Sequence, residues 1–88
     1  MEVSFTPSFL RALKSLPLAL QEEAIGKIGV FKDPANHKLL KVHKLHGRMN
    51  GCFSFSVNYS TRIIFDYSST KPKRVRLLAI DDHDVYDR

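Results

Sequence analysis

Apolar positions change their period several times along this chain, and each change predicts an element. Val3 and Phe5 alternate with Glu2 and Ser4, the two-residue period of a short strand. Thr6-Pro7 follows, a capping hydroxyl with proline at the first helical position. Phe9, Leu10, Leu13 and Leu16 then recur at helical spacing, with Arg11, Lys14 and Ser15 facing away. Ser15-Leu16-Pro17 repeats the cap-and-proline signal, and Leu20, Ala24, Ile28 and Phe31 form the stripe of a second helix that Asp33-Pro34 stops. Gly26 and Gly29 lie inside that helix at a cost of roughly 1 kcal/mol each against alanine, so close packing or bending is expected there.

Residues 34–50 lose this regularity. The run is polar and basic, with an extended piece expected around Leu39 to Val42 and turns at Gly47 and Asn50-Gly51, and it is read as a surface connection. Strand-like runs return in CFSFSVNY, TRIIFDY and RVRLLAI, separated by Tyr59-Ser60 and by Ser68 to Pro72. In the first of them Phe53, Phe55 and Val57 alternate with Ser54, Ser56 and Asn58, which predicts one buried and one open, polar face. The order is β-α-α-β-β-β: an α+β domain with two helices packed on a mainly antiparallel sheet. At 88 residues, without a repeat or linker, residues 1–88 form a single domain.

Charge adds a direction to this picture. The net charge is +5, and ten of the 14 lysines and arginines fall from Lys38 onward, which favours a polyanionic partner or, alternatively, only a solvated basic surface. The single cysteine, Cys52, excludes an internal disulfide and reads as a small core residue. No basic leader followed by an apolar run and no membrane-length segment occurs, so a cytoplasmic protein without membrane contact is expected. GxSxG, P-loop, dinucleotide and HExxH patterns are missing, and the histidine and cysteine spacings do not suit a zinc site; no metal and no cofactor is expected.

Four places could carry chemistry. His83 and Tyr86 share a face if the terminal IDDHDVYDR makes a helical turn, but a polar terminal cap is the more common explanation for such a pair. His43 and His46 flank Leu45 as bases, ligands or exposed loop residues. Arg62 opens an aliphatic strand, where it either forks a phosphate on the open face or pairs with Asp66 or a neighbouring carboxylate. Asp81, Asp82 and Asp84 read as turn formers and caps rather than as magnesium ligands.

The helical hairpin, Lys-Leu-His-Gly at Lys44 to Gly47, Gly51 before a strand, Arg62 opening the next, and His83 and Tyr86 near the end occur in an order that resembles the RelE/ParE toxin superfamily of bacterial type II toxin-antitoxin modules. The likeness spans nearly the whole chain and is nearest to the RelE/YafQ-like branch. It implies a RelE-like fold, a cognate antitoxin and ribosome-dependent cleavage of mRNA by attack of its own 2′-OH, with translation inhibited. ParE-branch members instead inhibit DNA gyrase, and a toxin that binds only its antitoxin is a third possibility. By the same likeness Arg62 is the phosphate contact, His83 the proton donor, Tyr86 the aromatic beside it and His43 a loop histidine; His46 has no firm counterpart. Ser54 and Ser56 stand where RelE has catalytic lysines, which leaves the general base open. Lys38, Lys41, Lys44, Arg48 and Arg76, with Ser54 and Ser56, are the expected RNA contacts.

Overall fold

The computed structural model describes residues 1–69 and 74–82. Thr6 caps the first helix as its sequence predicts: its hydroxyl accepts from the Phe9 amide at 3.1 Å and donates to the Leu77 carbonyl at 2.7 Å. One side chain thereby starts α1 (Pro7–Lys14) and fastens it to the last strand. Ser15 ends α1 rather than capping the next helix, its hydroxyl donating back to Ala12, while Pro17 opens α2 (Leu18–Phe31) with no side-chain cap. The Gln21 amide donates to the Leu16 carbonyl and so braces the corner.

Five strands form one mixed sheet in the order β1-β5-β4-β3-β2: β1 (Val3–Phe5), β2 (His43–Lys44), β3 (Phe53–Ser56), β4 (Thr61–Tyr67) and β5 (Val75–Asp82). The last three make the expected antiparallel meander, and β1 runs parallel to β5 at one edge. The segment expected to be a plain connection does more. Its extended piece falls at His43–Lys44, after Leu39 to Val42, and pairs with β3, while Leu40 and Leu45 are buried.

One face of the sheet carries the core. Phe55, Val57, Ile63, Phe65, Val75, Leu77 and Ile80 pack against Phe9, Leu13, Ala24, Ile28 and Phe31 of the two helices. Phe31 is the centre, stacked on Phe55 at 4.2 Å and on His37 at 4.6 Å, both within 8° of parallel. Gly26 and Gly29 are not close-packing positions: a Cβ at either would meet nothing within 4 Å.

The pairing of β4 with β5 slips between Ile64 and Phe65, where Leu77 opposes Phe65 but Ala79 opposes Ile64. Leu78 is the extra residue of a bulge, and it shifts the alternation by one. Leu77 and Ile80 therefore both face the helices, and Asp81 comes opposite Arg62 on the other face. That second face carries the candidate chemistry.

Candidate functional site

His43 is placed by a turn that ends in an unusual backbone. Asp33 accepts from the Ala35 amide to start a 3-10 turn at Pro34–Asn36, and the chain keeps turning through Leu40. It stops with the Lys41 amide bonded to the Lys38 carbonyl at 3.1 Å and the Val42 amide to the His37 carbonyl at 3.0 Å. This is a Schellman cap, and Lys41 sits in its left-handed position at φ 57°, where glycine is the usual residue. The Lys41 carbonyl then accepts from Nδ1–H of His43 at 2.9 Å. A carbonyl can only accept, so this contact puts the proton on Nδ1 and leaves the lone pair of the neutral ring on Nε2.

Across the β2–β3 pair His43 stands directly opposite Ser54, and Nε2 lies 3.4 Å from the Ser54 hydroxyl. Ser54 was expected on an open polar face. It is instead 1% exposed, and among the described residues its hydroxyl has His43 as its hydrogen-bond partner. Ser56, two residues on, shares this face, is half-buried and pairs with Arg62 of β4.

Arg62 is the largest buried side chain outside the apolar core, at 1% exposure, so the expectation of an arginine on an open face is corrected. Of the carboxylates expected beside it, Asp81 of β5 stands opposite Arg62, while Asp66 is engaged elsewhere. Arg76 takes both carboxylate oxygens of Asp66, from Nε at 2.8 Å and Nη2 at 2.7 Å. Strand and residue spacings put the Cα atoms of His43 and Arg62 roughly 12 Å apart on one face, within the joint reach of an arginine and an imidazole around one nucleotide.

Lys38, Lys41, Lys44 and Arg48 are all exposed along the segment that leads into and out of β2. Arg76 does not join them. It lies on β5, three strands from β2, with its guanidinium committed to Asp66, whose hydrogen bond and charge hold it cationic beyond the ordinary arginine range. His46 is exposed and opens a 3-10 turn at Gly47–Met49 without using its side chain as the cap. Cys52 is half-buried, not a full core residue, and burial, then the neighbouring Asp66 carboxylate, pushes its thiol pKa up, while Arg76 opposes them. His83 and Tyr86 lie outside the described residues, as do Lys71 and Lys73. The residues that sequence reasoning missed are His37, held by its Nε2–H to the Phe31 carbonyl at 2.9 Å and by its stack, and the Lys41 carbonyl. A backbone acceptor leaves no mark on a side-chain pattern.

No family model matches the sequence, and no curated protein matches it. Solved structures do. The chain is similar to the RelBE2 toxin-antitoxin complex of Mycobacterium tuberculosis, with a TM-score of 0.71, 22% identity, and 93% of this chain and 96% of that chain covered. The chain has the RelE-like toxin fold. It is also similar to an archaeal RelE–RelB complex from Pyrococcus horikoshii, at TM-score 0.68 and 20% identity over 92% of each chain. A YoeB/ParE toxin from Agrobacterium tumefaciens matches at 0.63 and 19%, covering 94% of this chain and 99% of that one. In this RelE-like fold the second face of the sheet, with His43, Ser54, Ser56 and Arg62, is the side turned away from the helical layer.

Proposed function

We propose that this protein is the toxin of a type II toxin-antitoxin module, a cytoplasmic endoribonuclease that cuts mRNA on the ribosome and so inhibits translation. The observation that carries the reading is His43 held as its Nδ1–H tautomer on the face that also bears Arg62. RNA supplies its own nucleophile, so the protein has only to move protons and steady charge. The 2′-OH gives its proton to Nε2 of His43 and attacks the adjacent phosphorus. The bond to the 5′-oxygen breaks with a 2′,3′-cyclic phosphate left behind, and His83 protonates the departing oxygen.

Arg62 supplies positive charge to the phosphate, a role that requires RNA entry to uncover a side chain otherwise 1% exposed. Tyr86 orients or stacks on a base. Lys38, Lys41, Lys44 and Arg48 hold the backbone by a salt-sensitive attraction. Arg76 is dropped from that group because Asp66 already engages it. His46 is left as a backbone contact beside Arg48.

A cognate antitoxin is the expected protein partner, in keeping with the RelBE2 and RelE–RelB complexes whose toxins share the fold. The second reading is a ParE-type gyrase inhibitor, favoured by the YoeB/ParE toxin among the similar structures and by serine at both 54 and 56. Brief induction without antitoxin separates the two. A ribonuclease stops amino-acid incorporation before plasmid supercoiling changes, whereas loss of supercoiling with protein synthesis intact would reject it.

A further inference from the structure

We propose that Ser54 and the left-handed backbone at Lys41 are positioning elements for His43, and that Ser54 makes no contact with RNA. The proposal rests on the nuclease reading for its consequence in rate, but not for its geometry.

Burial decides the role of Ser54. Ser54 is 1% exposed, and its short side chain cannot swing out to meet a nucleotide as the long side chain of Arg62 can, so its hydroxyl is neither an RNA contact nor a nucleophile. It sits directly across the strand pair from His43 and meets Nε2 at 3.4 Å. That distance is at the long end for a hydrogen bond, so an incoming 2′-OH displaces it readily. A firm bond there would block the base.

Lys41 acts at the other nitrogen. Its φ of 57° belongs to a Schellman cap and turns its carbonyl onto Nδ1–H at 2.9 Å, the shorter and stronger of the two tethers. An imidazole free in water favours the opposite tautomer, with the proton on Nε2. The carbonyl reverses that preference and keeps Nε2 open for a proton, while Ser54 aims it. Because the acceptor is backbone, the lysine side chain remains available for RNA.

The test uses the whole chain, labelled with nitrogen-15, and reads the ring nitrogens of His43 at a pH where the ring is neutral. The expected spectrum has the proton on Nδ1. In Ser54→Ala the Nε2 resonance moves while the backbone amide spectrum stays folded, and Ser54→Thr returns it towards the wild-type position. A proton on Nε2, or an Nε2 resonance indifferent to Ser54→Ala, overturns the proposal. On ribosome-bound mRNA, Ser54→Ala should slow single-turnover cutting by about tenfold to hundredfold, as loss of orientation does, with RNA affinity unchanged and Ser54→Thr restoring most of the rate. Loss of affinity with an unchanged rate returns Ser54 to the RNA contacts. If the wild type cuts nothing, the nuclease reading fails, and the ring spectra still decide the positioning.

Discussion

Arg76 grips Asp66 through two nearly equal bonds, 2.8 Å from Nε and 2.7 Å from Nη2, across adjacent strands of the sheet. The pair takes Arg76 out of the loose surface cations. Arg76→Ala should therefore leave the salt dependence of RNA binding unchanged, whereas Arg48→Ala should reduce its slope by about 0.7 per charge lost. Filter binding over a salt series measures both.

The same ion pair lies beside Cys52, whose thiol is raised first by burial and then by Asp66. A raised folded pKa means that the folded state holds its proton more tightly than the unfolded chain. The stabilising contribution is complete below the ordinary thiol pKa and is lost as pH rises above it. Urea midpoints from neutral to alkaline pH should thus fall more steeply for the wild type than for Cys52→Ser. A parallel pair of curves would contradict this.

Lys41→Gly should have two opposite effects. Glycine takes the left-handed position of the Schellman cap without strain, so stability should rise by about 0.5–1 kcal/mol despite the more flexible unfolded chain. RNA affinity should fall by one phosphate contact. Urea unfolding and filter binding on the same sample separate the two.

Phe31 is fully buried and stacked on both Phe55 and His37, so Phe31→Ala should cost about 3–5 kcal/mol. Gly26→Ala should do the reverse, stabilising by about 0.5–1 kcal/mol, because its Cβ meets nothing within 4 Å. Equilibrium unfolding of the two variants gives the values.

The helices, the meander and the core stripe were legible because each follows from a local period: Ala24, Ile28 and Phe31 along a helix, Phe53 and Phe55 along a strand. The parallel pairing of β1 with β5, and β2 itself, were not, since pairing partners distant in sequence carry no local signal. Alternation correctly put Ser54 and Arg62 on the face away from the helices, yet it implied water there. Both are buried. The bulge at Leu78, which turns Asp81 to the side of Arg62, is likewise invisible in RVRLLAI, because an extra residue in a run of aliphatics leaves the composition of the strand unchanged. For the site, His43 and Arg62 were legible as candidates and took their roles from the resemblance, but the carbonyl that selects the tautomer belongs to a backbone conformation that lysine rarely adopts.

The central claim is that this RelE-like fold cuts mRNA with His43 as base. Mapping new RNA 5′ ends across the transcriptome after brief induction, in the wild type and in His43→Ala, tests it most directly. Cuts inside translated frames that disappear in the variant are the predicted result, with His83→Ala behaving alike. Growth arrest without new 5′ ends, or cuts that persist unchanged in His43→Ala, would contradict it.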